Sequence, residues 1–254
     1  MKKIKQLLMK TQVSITKSQL LTPTIILVVG SSILMMSGCK KDLTTTTTNN
    51  TSLSGTIADI DGNVYNTVVI GTQTWMMENL KTTHYRNGDA IPSIADARSV
   101  FTGTYCNYNN DASNVSTYGR LYNWYAVTNP AGLCPAGWHI PTDDEWTILI
   151  TYLGGDTKAP GAMKATGTTL WKTPNIGATN SSGFTALPGG AHMTGTFLDM
   201  GATCVSWSLT EHIDEFGYEN ASFFTLNYVN STKLLLSYPG DTKDAAFSVR
   251  CLKD

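Results

Sequence analysis

The N-terminal segment constrains this chain most, because it sets the compartment in which the rest must fold. Five lysines precede Cys39, and no acidic residue occurs before Asp42. A largely apolar run, Ile25–Met36, leads through Ser37 and Gly38 to Cys39. This pattern is typical of a lipoprotein signal peptide that is cut after Gly38 and leaves lipid on Cys39. The apolar run is shorter than the roughly 20 residues that a membrane-spanning helix needs. We therefore expect residues 1–38 to be removed and the protein to be held on a membrane by lipid.

The segment after Cys39 divides into a linker and one domain. Five consecutive threonines, Thr44–Thr48, lie in a stretch with almost no apolar side chain. Residues 39–53 are therefore predicted to be a flexible spacer that carries the lipid. Residues 54–254 are numerous enough for a single domain with a full core. We expect this domain in the cell envelope, anchored to the outer membrane and exposed to the periplasm or the cell surface.

The charge of the exported chain argues against nucleic acid as a partner. Without the five lysines that precede Cys39, 13 basic residues remain against 19 acidic residues, a net charge of −6. A protein that binds nucleic acid usually carries a basic stripe, and this sequence has none. The partners we expect are the membrane, through the lipid, and a glycan or protein ligand.

Local patterns predict strands at both ends of the domain and helices in the middle. Asp61-Gly62 separates two β-type runs and favours a hairpin turn. Thr142 and Glu145 form a capping-box pattern. The apolar residues that follow this pattern lie on one helical face, and they are Trp146, Leu149, Ile150 and Leu153. Gly154-Gly155 is a stop signal for this helix.

Further elements follow from weaker patterns. The segment Tyr118–Val127 is interpreted as a second helix. Five β-type runs are predicted in the C-terminal third, at residues 184–187, 204–208, 223–229, 234–238 and 247–252. The fold class predicted from this arrangement is α+β, with short strands, two or three helices and long loops.

Several motifs together resemble a known family. They include DIDGNVYNTVVIGTQTWMMENL, YGRLYNWYAV, CPAGWHIPTDDEW, WSLTEH and FSVRCLKD, in this order along nearly the whole domain. This set resembles the Fibrobacter succinogenes major paralogous domain. More distantly, GWHIPTDDEW and the terminal VRC are similar to C-type-lectin-like and formylglycine-generating-enzyme folds. The resemblance implies a single, mixed, C-type-lectin-like domain and implies no particular activity.

Four cysteines remain if Cys39 carries lipid, and they allow three pairings. An exported compartment favours disulfides. The resemblance implies a Cys134–Cys251 bond, because the resembling folds join the start of the helix to the last strand in this way. It leaves Cys106 and Cys204 as the second pair.

The search for catalytic and metal-binding patterns gives few candidates. The sequence has no zinc-protease motif, no nucleophile elbow and no phosphate-binding glycine loop. Asn107, Asn109 and Asp111 are spaced like calcium ligands, but such loops usually bond to their own backbone. The acidic residues near position 215 are interpreted as a solvated loop, and no histidine has an evident partner. We expect no metal and no other cofactor.

The sequence thus favours a non-catalytic binding or structural module over an enzyme. Trp171 is the candidate ligand contact, because the loop-like TTLWKTPNIG gives it no periodic position in a core. The alternative is an oxidoreductase similar to formylglycine-generating enzymes, which use cysteine thiols with copper. That chemistry requires reactive free thiols, so the two hypotheses differ in the state of the cysteines.

Overall fold

The computed structural model describes residues 52–94, 101–213, 217, 219–229, 234–237 and 242–254. The predicted signal peptide, Cys39 and most of the spacer lie outside these residues. The strands of the described part are β1 (Ser52–Ala58), β2 (Val64–Ile70), β3 (Gln73–Met76), β4 (Tyr105–Cys106), β5 (Leu121–Asn123), β6 (Trp138–His139), β7 (Ala191–Met193), β8 (Thr196–Leu198), β9 (Thr203–Ile213), β10 (Glu219–Asn227), β11 (Leu234–Ser237), β12 (Ala246–Ser248) and β13 (Leu252–Lys253). The α-helices are α1 (Val115–Tyr118), α2 (Trp124–Val127), α3 (Asp143–Tyr152) and α4 (Ala159–Met163).

Two sheets carry the fold, which confirms the predicted α+β class. The first sheet has the strand order β1-β2-β3-β13-β6, so the last strand of the chain lies inside it. The second sheet runs β11-β10-β9-β12-β5-β4, with the β7–β8 hairpin attached to β12. β1 begins at Ser52, so it includes the last residues of the predicted spacer.

The N-terminal hairpin forms as the sequence predicts. β1 and β2 pair antiparallel, and Gly62 in the turn has a φ of +79°, a conformation that costs glycine little. Asp59 Oδ1 accepts bonds from the backbone amides of Asp61 and Asn63 at 3.0 and 2.9 Å. The acidic side chain therefore closes a turn.

Helix α3 also confirms its prediction. The Thr142 hydroxyl accepts from the Glu145 amide, and the Glu145 carboxylate accepts from the Thr142 amide at 2.8 Å, so the capping box is complete. The predicted apolar face is buried throughout. Trp146 stacks on Phe224 of β10, with ring centroids 4.4 Å apart and an interplanar angle of 7°. This contact joins the helix to the second sheet.

Two predicted elements differ from the structure. Residues 121–123 form β5 instead of the middle of a helix, because they pair with β12 and β4. Asn123 then begins the short helix α2, since its side chain accepts from the Ala126 amide at 3.0 Å. The predicted strand at residues 184–187 is reduced to a single bridge between Lys164 and Ala186.

The core divides into two main clusters of buried side chains. One contains Trp124, Trp207 and Phe247, and the other contains Trp75 and Trp146. Aromatic side chains of this size each remove about 150–250 Å² from water and dominate such cores.

Candidate functional site

The Cys134–Cys251 disulfide is the covalent centre of the candidate site, and its formation confirms that prediction. The two Cα atoms lie 6.0 Å apart, within the range that a disulfide requires. Cys134 lies in the loop before β6, and Cys251 directly precedes β13. The bond therefore fixes the loop at residues 128–137 against the first sheet.

The second predicted disulfide, between Cys106 and Cys204, is not formed, and this prediction is wrong. Both residues are free thiols. Cys106 lies on β4 and Cys204 on β9, and β5 and β12 lie between those strands. Three strand spacings amount to about 14 Å, whereas a disulfide tolerates about 7 Å between Cα atoms. The thiols belong to separate clusters and cannot act as a pair.

Two shallow depressions lie side by side over Cys134. The first has a volume of about 230 Å³, and the second about 220 Å³. Both are lined by Arg86, Leu133 and Cys134, so the two depressions adjoin at these residues. We call this pair of depressions the Cys134 groove. Segments from four distant parts of the chain build it, near residues 60, 85, 135 and 209.

The first end of the groove is polar. His84 Nδ1 lies 2.5 Å from Asp61 Oδ1, and Asp61 also accepts from the Thr83 amide. Burial raises the pKa of Asp61, but its hydrogen bonds from Thr83 and His84 outweigh burial and hold that pKa below its usual value. Asp61 therefore stays ionised and fixes the His84 ring at this end.

The second end of the groove contains His139 of β6. Its Nδ1 lies 2.6 Å from Asp254 Oδ1, and its Nε2 lies 2.8 Å from Glu145 Oε1. Partial burial lowers the pKa of His139, but the hydrogen bonds to Asp254 and Glu145 outweigh burial and raise that pKa above its ordinary value. With a carboxylate at each ring nitrogen, the doubly protonated imidazolium is favoured.

Comparison with known sequences decides the family. A sequence model of the Fibrobacter succinogenes major domain matches residues 68–253, well over half of the 254-residue chain. The chain belongs to the Fibrobacter succinogenes major domain family. No curated protein and no solved structure matches the chain significantly.

The candidate ligand contact Trp171 is buried in this Fibrobacter succinogenes major domain, so its predicted exposure is wrong. The side chain is 1% exposed, and its Nε1 donates to the Ala186 carbonyl at 3.0 Å. Lys164 Nζ lies 5.7 Å from the centre of the Trp171 ring and donates to the Ile176 carbonyl at 2.7 Å. A loop with no periodicity can still bury an aromatic ring when a carbonyl satisfies the indole N–H.

Two of the acidic residues near position 215 lie on strands instead of in a loop. Glu211 is on β9, where its Oε1 accepts from Trp124 Nε1 at 2.9 Å and lies 3.2 Å from Lys243 Nζ. Glu219 is on β10 and lies 2.9 Å from the same ammonium group. Asp214 and Glu215 lie outside the described residues.

Three histidines have partners that sequence reasoning missed. His84 and His139 bond to the carboxylates at the two ends of the groove, and His212 Nε2 lies 2.9 Å from Asp143 Oδ2. The partners lie far away in sequence, except Glu145, which is six residues from His139. The predicted capping box places Glu145 at the start of α3, and this was the only local pattern that pointed toward its contact with His139.

The described residues contain no cluster of three or more His, Cys, Asp or Glu side chains arranged to hold a metal ion. In the calcium-like loop, Asp111 accepts from the Ser113 amide at 2.9 Å, and Asn107 accepts from Arg120.

None of the helices in the described part has the length and apolar character needed to cross a bilayer.

Proposed function

We propose that this chain is a lipid-anchored protein of the bacterial cell envelope whose domain binds a ligand in the Cys134 groove. The pair of adjoining depressions at the disulfide is the observation that carries the binding proposal. It is concave and mixes apolar with polar side chains, the usual character of small-ligand sites. Each depression is smaller than the roughly 300–1,000 Å³ of a drug-sized pocket. This size suits one unit of a short oligomeric ligand.

The anchoring part of the proposal rests on the sequence around Cys39. Lipid on this residue would hold the domain at the membrane, and the threonine-rich spacer would separate it from the bilayer. In cells, Cys39→Ala should release the protein from the membrane fraction, while Ser37→Ala should remain membrane-bound. A Cys39→Ala protein that survives carbonate washing would contradict lipid anchoring.

The oxidoreductase alternative is weaker because of the cysteine geometry. Two of the four cysteines after Cys39 form the disulfide, and the other two are buried on separate strands. Burial raises the pKa of Cys106 to about 12 and that of Cys204 to about 11. Reactive cysteines have lowered pKa values and partial exposure, so these thiols suit structural roles.

A glycan and protein-fragment array tests ligand binding directly. The full chain, purified in detergent and labelled, should retain a small set of related ligands. Binding should fall when Ala136→Trp fills the first depression, because Ala136 is exposed and lines it. Ala112→Trp adds the same side chain at an exposed position outside the groove and should bind as the wild type does. If Ala136→Trp and Ala112→Trp both bound the ligands as the wild type does, the binding site would lie elsewhere.

A further inference from the structure

Arg86 differs from the other two arginines that the structure describes. Arg120 Nε donates to the Lys81 carbonyl at 2.8 Å, and Arg250 donates to Asn79 Oδ1 at 3.0 Å. The Arg86 side chain is exposed, and within the described residues its guanidinium has no hydrogen bond or ion pair. A guanidinium has five N–H donors, and no described residue accepts from those of Arg86.

Arg86 lies at the middle of the Cys134 groove. Its side chain lines both depressions, and its backbone amide donates to the Gly132 carbonyl at 2.7 Å. A Cβ atom added at Gly132 would lie 2.8 Å from Arg86 Nη2, so the guanidinium lies directly against this glycine. The absence of a side chain at position 132 thus gives the guanidinium its place.

The carboxylates near the first depression are occupied by other groups. Asp59 accepts from Asn63 Nδ2 at 2.9 Å and from the Tyr65 hydroxyl at 2.6 Å, besides the two turn amides. Asp61 is held by His84 and by the Thr83 amide. Within the described residues, Arg86 therefore forms no ion pair with these carboxylates. Its guanidinium lies at the middle of the Cys134 groove, and Asp59 lines the first depression beside it.

We propose that Arg86 is an anion-binding subsite and that the groove takes a short saccharide bearing carboxylates, of the hexuronate class. This inference rests on the proposed function. A guanidinium fork matches a carboxylate through two parallel hydrogen bonds, which gives the contact its direction and strength. The two depressions on either side would each take one neighbouring sugar unit.

The dimensions of the groove favour a saccharide over an acidic protein. A stable protein interface buries about 800 Å² on each partner and relies on exposed aromatic anchors. Trp138, the one tryptophan in the lining that the structure describes, is only 6% exposed. Small, shallow and polar depressions instead suit a ligand whose units are themselves small and polar.

Isothermal titration calorimetry on the full chain in detergent tests this inference. The probes are trigalacturonate, its neutral methyl ester and a triglutamate peptide. The wild type should bind trigalacturonate at least tenfold more tightly than either of the other two. Arg86→Gln should weaken trigalacturonate binding at least tenfold and leave the ester unchanged. Lys172→Gln removes the same charge outside the groove and should match the wild type.

A second variant separates charge from placement. Gly132→Ala keeps Arg86 but places a Cβ atom against its guanidinium and strains the loop, because φ at this position is +81°. Trigalacturonate binding should again fall at least tenfold, with folding confirmed by circular dichroism. No binding of trigalacturonate, or an unchanged affinity in Arg86→Gln, would overturn the inference. Equal binding of triglutamate would assign the subsite to acidic peptides instead. If array ligands are lost in Ala136→Trp but retained in Arg86→Gln, the proposed function stands and this inference fails.

Discussion

The His139 Nδ1 atom lies 2.6 Å from a carboxylate oxygen of Asp254, the residue that directly follows β13. Glu145 holds the other ring nitrogen at 2.8 Å, so the imidazole joins β6, the start of α3 and the C-terminus. One side chain thus connects three elements at the second end of the Cys134 groove.

This contact predicts a pH-dependent stability. The folded-state pKa of His139 is raised, so its contribution is fully present below the unfolded pKa of about 6.5 and is lost as pH rises through the folded pKa. The difference in unfolding free energy between wild type and His139→Gln should therefore be largest below about pH 6.5 and shrink as pH rises through the raised folded-state pKa. Urea denaturation measures it, and a difference that stays constant over this range would contradict the assignment.

The disulfide should be a major source of stability. Cys134 and Cys251 are 117 residues apart in sequence, and a loop of this size corresponds to about 4–5 kcal/mol in the chain-entropy model. The double variant Cys134→Ala/Cys251→Ala should lose an amount of this order in denaturant unfolding. Peptide mapping under non-reducing conditions checks the pairing, and a Cys134 peptide linked to Cys106 or Cys204 would reject it.

The remaining thiols should be present but inaccessible. Cys106 is 3% and Cys204 is 4% exposed, and burial raises the pKa of both thiols. A thiol reagent at pH 8 should therefore react with neither residue in the folded protein and with both after denaturation without reductant. Cys106→Ser and Cys204→Ser should each remove one reactive thiol. A denatured protein in which neither reacts would mean that the two are oxidised.

Trp171→Ala should lower the free energy of unfolding. The side chain is 1% exposed, and truncating a buried tryptophan typically costs about 3–5 kcal/mol. Phe101 is 70% exposed, so Phe101→Ala should cost about 1 kcal/mol or less in the same unfolding experiment. Comparable losses in the two variants would contradict the burial of Trp171.

The sequence predicted those helices and strands that are determined by residues close together in the chain. Helix α3 follows from the capping box at Thr142 and from an apolar repeat, and the first hairpin follows from Asp61-Gly62. β5 was missed because its state depends on pairing with β12, more than a hundred residues away. Leu121 and Trp124 are both buried and are spaced like residues on one face of a helix. The chain is nevertheless extended at Leu121, which belongs to β5.

The site was less predictable than the fold for the same reason. The Cys134–Cys251 bond was predicted through a resemblance to known folds. The groove above it depends on which loops meet across that bond, and no spacing in the sequence brings Arg86 next to Gly132. Trp171 shows the opposite error, because absence of periodicity does not indicate exposure when distant residues cover a loop.

Ligand binding in the Cys134 groove is tested by the dissociation constant of an array-selected ligand for Ala136→Trp and Ala112→Trp, determined side by side on the full chain in detergent. We predict an affinity at least tenfold weaker for Ala136→Trp, about 1.4 kcal/mol, and a wild-type affinity for Ala112→Trp. Wild-type affinity in Ala136→Trp, with the fold intact, would contradict binding in this groove.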